Sequence, residues 1–257
     1  MINQKPSLSR HIITSTGILL LVVLLLACSG AQTSIPSPSP SEPPLSTNTM
    51  AVEILPTLTS TALLKATSAL ITFPTATLTP CLARADFGDP ADSPYILPYP
   101  VGKAYRITQS YCNVEGSHSD QFAYDFNLSI GDDVTAARAG RVISVQDDTP
   151  DSGTLKYICQ PNHIFIKHED GTAAFYAHLK QNSITVQMGQ FVEAGQRIAA
   201  SGNSGFTGPI PHLHFGVYQY YPPEEGYDVP VNFRNAQDPL DDRGGLIAWR
   251  IYEALSY

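Results

Sequence analysis

The sequence predicts a mainly β domain over residues 81–257, preceded by a long segment that builds no core. Three observations carry this. From about Leu82 onward, short runs alternate apolar with polar or small residues, the period of a strand with one buried face. Clusters of Gly, Asp and Ser separate those runs, as turn chemistry requires. No amphipathic stretch of helical period exceeds about ten residues before the tail Leu246–Leu255, where Leu246, Trp249, Tyr252 and Glu253 give only a weak match.

The elements follow in chain order. Lys5 and Arg10 precede the apolar run Ile18–Ala27, which ends in a small residue directly before Cys28, the layout of a secretory signal. Such a run is too short to span a bilayer, which takes about 20 residues. Leu25-Leu26-Ala27-Cys28 resembles the lipobox of bacterial lipoproteins, which implies cleavage after residue 27 and a lipid on Cys28. An ordinary signal peptide with an incidental cysteine is the other reading, and it exports the protein equally. Residues 28–80 read as a disordered tether. Between Ala31 and Pro80 there are 8 Pro, 7 Ser and 11 Thr, and Phe73 is the single aromatic residue. That composition buries too little apolar area to offset its ordering entropy. As a flexible coil the tether spans about 40 Å, and fully extended about 150 Å, so the domain on its end searches a layer above the membrane.

The strand runs within 81–257 are Ala104–Ser110, Phe122–Leu128, Gly140–Val145, His163–His168, Ala173–Leu179 and His212–Tyr218. The tyrosines after the last run, Tyr218, Tyr220, Tyr221 and Tyr227, read as a loop extension on the sheet edge or as a wall of a groove.

Charge bears on partners. The chain carries a net charge of −8, and losing Lys5 and Arg10 with a signal peptide makes it more acidic. No basic stripe exists, which argues against nucleic acid. Nothing in the sequence demands an oligomer, and a monomer is expected. With Cys28 lipidated, Cys81, Cys112 and Cys159 remain, and an oxidising compartment allows one bridge among them. Of the three pairings, Cys112–Cys159 is expected, because both lie in the strand-rich region.

Histidine placement carries the chemistry. His11 leaves with the signal, and the other six fall between residues 118 and 214. In His212-Leu213-His214-Phe215-Gly216-Val217 the strand period sets Leu213, Phe215 and Val217 toward the core and both histidines on the opposite face. In Phe122–Leu128 the bulky residues share one face, which aims Asp125 away from the core. The same reasoning sets His178 opposite Phe175, Ala177 and Leu179. His163 and His168 read as structural.

Taken together, His118, Asp125, Tyr176-Ala177-His178-Leu179 and Gly208-Pro209-Ile210-Pro211-His212-Leu213-His214-Phe215, with Gly189-Gln190-Phe191-Val192 and Gly195-Gln196 between, resemble the lysostaphin/LytM zinc endopeptidases. The similarity covers about Tyr105–Val217. It implies one Zn²⁺ per chain held by His118, Asp125 and His214, with His178 and His212 as catalytic histidines. The implied fold is an antiparallel sheet half-wrapped into an open barrel or sandwich, like a duplicated hybrid motif, with a groove across it. The implied activity is hydrolysis of a peptide bond in the stem or cross-bridge of peptidoglycan, while the lipobox-like Leu25–Cys28 separately implies a lipid anchor on the outer face of the cell membrane or on the outer membrane. Two imidazoles and one carboxylate suit that chemistry, because they leave zinc a fourth position for water and a net positive charge.

One departure stands out. The family separates its first histidine and aspartate by three residues, whereas six lie between His118 and Asp125. An odd offset puts them on opposite faces of one extended strand, so a bend near Gly116–Asp120 must bring His118 round. Asp120 is the alternative ligand. Two other function classes remain: a non-catalytic relative that binds wall peptide or activates another hydrolase, and a biotinyl- or lipoyl-like carrier. The first typically lacks some of the five site residues, all present here. The second needs a modifiable lysine at a hairpin tip, which the sequence lacks.

Overall fold

A computed structural model of the protein describes residues 81–224, 227–236 and 239–257. The expected signal segment, Cys28 and the tether lie outside the described residues. Among these, no helix is long and apolar enough to cross a membrane. A one-turn helix α1 (Cys81–Arg84) is followed by ten strands: β1 (Ala104–Gln109), β2 (Ala123–Phe126), β3 (Asp133–Thr135), β4 (Gly140–Gln146), β5 (His163–Lys167), β6 (Ala173–Ala177), β7 (Phe191–Val192), β8 (Arg197–Ala200), β9 (Leu213–Tyr218) and β10 (Ile251–Glu253).

Eight strands form one antiparallel sheet in the order β10-β1-β2-β9-β6-β5-β4-β7, and β3 pairs with β8 in a small second sheet. The large sheet is open, with β10 and β7 at its edges. The mainly β expectation holds, and each of the six alternating runs contains a strand. The four strands that alternation missed are short or, like β8, flanked by small residues that give no periodic contrast.

One face of the large sheet is core. Tyr124 and Phe126 of β2, Leu213, Phe215 and Val217 of β9, Tyr176 of β6 and Ile164 and Ile166 of β5 are all fully buried in a single cluster that also takes in Val134 of β3 and Ile198 of β8. Burying each of these large side chains contributes roughly 1.5–3 kcal/mol. Register follows from this, since a slip by one residue would turn each apolar set outward.

Two expectations are corrected. The tail does not continue any helical period: Trp249 takes a left-handed φ of +68°, and β10 pairs with β1 through Tyr105↔Tyr252. Tyr252 is buried and its hydroxyl donates to the Pro239 carbonyl at 2.7 Å. The disulfide joins Cys81 to Cys112, with Cα atoms 5.6 Å apart, so the expected Cys112–Cys159 bridge is not formed. The physical reason is the packing of α1. Arg84 pairs with Asp120 at 2.8 Å and with Asp228 at 3.4 Å, and its guanidinium lies 4.9 Å from the centre of the Phe122 ring, which seats the helix against the segment between β1 and β2.

Candidate metal centre and active site

The side chains proposed from the sequence come from four separate parts of the chain. Asp125 on β2 lies directly opposite His214 on β9, and Ala177 on β6 lies opposite His214 on its other side. The alternation of β9 turns His214 away from the Leu213–Phe215–Val217 core face. His118 arrives from the turns between β1 and β2 and is 1% exposed.

Three donor atoms meet there. His214 Nδ1 is 3.1 Å from Asp125 Oδ1, His118 Nε2 is 3.3 Å from the same oxygen, and the two imidazole nitrogens are 3.2 Å apart. Donors about 2.0–2.1 Å from a tetrahedral ion are separated by about 3.3 Å, so this triangle fits zinc in both size and donor type. The odd offset between His118 and Asp125 is absorbed by the turns at residues 111–120. Asp120 stays outside the cluster, engaged by Arg84.

Burial would raise the Asp125 carboxyl, but the electrostatic attraction and hydrogen bonds of the neighbouring His118, His214 and His212 outweigh it and hold the group well below the usual carboxylate range. Burial pushes the His214 imidazole down against the pull of Asp125. His178 is pushed down to about 3, by burial first and then by His212 and His214. A neutral His178 results at ordinary pH.

His178 reaches the cluster by a route strand alternation does not give. Continued alternation would send it to the side of Tyr176, which is fully buried, whereas Phe175 is half-buried on the site face. Strand β6 ends at Ala177, and His178 takes a left-handed φ of +61°. That reversal brings its ring centroid within 4.8 Å of His212 and 6.1 Å of His214. The expected grouping of Phe175 with the core is therefore corrected. A left-handed conformation in a non-glycine residue costs energy and persists where surrounding contacts fix it.

Backbone carbonyls orient three of the imidazoles. His178 Nδ1 lies 2.8 Å from the Ser204 carbonyl, His212 Nδ1 2.8 Å from Ile210 and His118 Nδ1 3.3 Å from Ser110. Each Nδ1 donates to its carbonyl, which leaves Nε2 with its lone pair. His212 Nε2 lies 3.6 Å from Asp125 Oδ1, on the rim of the donor triangle.

Two contributors were not legible beforehand. Gln109 donates from Nε2 to Asp125 Oδ2 at 2.9 Å, while its Oε1 accepts from the Ser117 backbone at 2.8 Å. It thus links the carboxylate to the turn that carries His118. Ser204, in the loop between β8 and β9, aims His178 through its carbonyl. Neither role leaves a signal in sequence, because a lone Gln at a strand end and a backbone carbonyl have no distinctive pattern.

With this geometry described, the relatives become informative. Residues 119–232 match the family described as Peptidase family M23, a match that begins one residue after His118. The chain is 34% identical over 142 residues to the peptidoglycan DD-endopeptidase ShyB of Vibrio cholerae, covering 52% of this chain and 30% of that protein. It is 38% identical over 112 residues to outer membrane antigenic lipoprotein B of Histophilus somni, covering 44% of this chain and 29% of that protein. Over 95 residues it is 32% identical to lysostaphin of Staphylococcus staphylolyticus, covering 37% of this chain and 18% of that protein. The chain thus spans less than a third of the length of these curated relatives.

Proposed function

We propose, for a chain that belongs to peptidase family M23 through residues 119–232, that it is a zinc-dependent endopeptidase hydrolysing peptide bonds in the stem peptides or cross-bridges of peptidoglycan. The observation that carries this reading is the donor triangle of His118 Nε2, Asp125 Oδ1 and His214 Nδ1, with His178 and His212 beside it.

Zinc bound by these three side chains supplies a Lewis acid that polarises a peptide carbonyl and acidifies water. The rest falls to the protein. Asp125, held ionised, contributes the single negative charge of the set and leaves the site net positive once loaded. His178 and His212, each with Nδ1 committed to a carbonyl, present Nε2 as the group that takes a proton from the attacking water and returns it to the leaving amine. Their rings, fixed by Ser204 and Ile210, need little reorganisation as negative charge develops on the substrate oxygen. The name of one relative, the peptidoglycan DD-endopeptidase ShyB, supports a cell-wall substrate.

The deciding experiment is digestion of purified peptidoglycan by the full-length protein with and without zinc, beside His214→Ala, with products read by mass spectrometry. New amino groups and peptide fragments are expected from the zinc-loaded wild type only. Zinc binding without any release of fragments would replace the hydrolase by a wall-binding role.

The site is further proposed to act from a lipid anchor at Cys28 on the outer face of a membrane, a reading supported by the Leu25–Cys28 sequence and by the lipoprotein name of one relative. Cys28→Ala is expected to move activity from the membrane fraction into the soluble exported fraction. Activity that stays with the membrane would count against the anchor.

A further inference from the structure

The sheet face that carries Asp125 and His214 continues beyond them in ordered rows. Cross-strand register aligns Asp125, His214, Ala177 and His163 in one row, and Ala123, Gly216, Phe175 and Phe165 in the next. The second row begins with two residues that have almost no side chain and ends with two rings. At Gly216 an added Cβ would meet only Ala123, at an ordinary 3.6 Å.

The rings form a cluster of their own. Phe165 and Phe175 stack at 4.4 Å with 22° between their planes, and Phe175 lies 5.8 Å from the His214 imidazole. Tyr218 sits 6.3 Å from both. The loop after β9 folds back so that Tyr221 lies 5.0 Å from Phe165 while remaining 43% exposed. None of these four rings belongs to the hydrophobic core cluster. Phe175 and Tyr218, both half-buried, and the exposed Tyr221, backed by the buried Phe165, gather on the sheet face that carries the catalytic cluster and mark a binding surface.

Its chemistry narrows the ligand. The platform's outer ring, Tyr221, is exposed. Polar groups edge it: His163 Nε2 and Ser144 Oγ, 3.3 Å apart, on one side, and exposed Lys167 on the other. A pyranose ring presents a polarised C–H face suited to the electron-rich face of an aromatic ring, and a rim of hydroxyls suited to such an edge. The successive ring spacings put the far end of the platform at most about 15 Å from His214, no more than roughly four extended residues.

We propose that Phe175, Tyr218 and Tyr221, backed by Phe165, form a subsite for a pyranose ring of the glycan strand that carries the cleaved peptide. This rests on the peptidoglycan reading above. The subsite holds the sugar while the attached short peptide lays its scissile bond at His118, Asp125 and His214.

The test separates the two readings. Chitotetraose, which has no peptide, is titrated into full-length wild type, Phe175→Ala and Tyr221→Ala, with binding followed by saturation-transfer NMR and folding checked by circular dichroism. In parallel, kcat and KM are measured on a cross-linked muropeptide with its sugars and on the same peptide without them. Saturable binding to wild type is expected, weakened about fivefold or more by either substitution. The ratio of kcat/KM between glycan-bearing and glycan-free substrate should fall by a similar factor, through KM. Tyr221→Ala, at an exposed loop position, keeps the test valid should Phe175→Ala misfold. Absence of chitotetraose binding to folded wild type would overturn the proposal, as would equal losses on both substrates, which would make the platform a reader of peptide. Chitotetraose binding that follows the substitutions, with neither substrate cleaved, would leave the subsite standing and sink the peptidase reading.

Discussion

Gln109 and His178 touch the same cluster in different ways, and their substitutions should separate holding a metal from using it. Gln109 donates to the Asp125 oxygen that faces away from the imidazoles and tethers the turn at Ser117. Outer groups of this kind typically change metal affinity by about 10–100-fold. Gln109→Leu is therefore expected to raise the zinc dissociation constant by about that factor, measured by competition with a chromogenic chelator. His178 lies outside the donor triangle, so His178→Gln should retain zinc at near wild-type affinity while peptide cleavage falls by at least about 100-fold. Loss of zinc from His178→Gln would make that histidine a ligand and undo the assignment of roles. The residue types were visible in the sequence because His and Asp carry a distinctive inventory of donors. The partners that aim them were not, since hydrogen bonds from a glutamine or to a carbonyl depend on where distant segments meet.

The weakest element of the site is the turn region between β1 and β2. It must carry His118 to a carboxylate seven positions away on the neighbouring strand, and it has no strand pairing of its own. Three contacts fasten it: the Cys81–Cys112 bridge, the Arg84–Asp120 ion pair and the Gln109–Ser117 bonds. A bridge closing a loop with a sequence separation of 31 contributes roughly 3.7 kcal/mol by constraining the unfolded chain. The double substitution Cys81→Ser and Cys112→Ser should lower stability by about that amount in urea unfolding and should also speed zinc release. Arg84→Ala, which leaves the bridge, should speed zinc release less. Equal zinc release rates in wild type and the double variant would show that β-sheet register alone positions His118. The sequence called for a bend near Gly116–Asp120, and a bend is present. It did not call for α1 as the brace, because a four-residue helix has no periodic signature.

At the scale of the whole molecule the sheet works as a two-faced plate, with packing on one side and chemistry on the other. A buried histidine far from the site makes its stability depend on pH. His168 is 3% exposed and is pushed down to about 4, chiefly by burial, against the Ala139 carbonyl that favours its protonated form. The unfolded chain binds a proton there near 6.5, so the folded state loses stability as pH falls from about 6.5 toward about 4, by up to roughly 3 kcal/mol, and retains it fully above that window. His168→Leu should flatten that part of the stability-against-pH curve in urea unfolding series. An unchanged slope would assign the acid lability to other groups. What the sequence determined by itself was what is written in a local period: the longer strands, the faces that β2 and β9 bury, and hence that Asp125 and His214 turn away from the core. What only the tertiary structure decided was everything that depends on strands meeting across long stretches of chain: Asp125 opposite His214, the aromatic rings beyond Gly216, the cysteine that Cys112 finds, and the left-handed turn at His178. A period of two fixes a side chain's direction relative to its own strand, and the register between strands, set by burying one common core, fixes its neighbours.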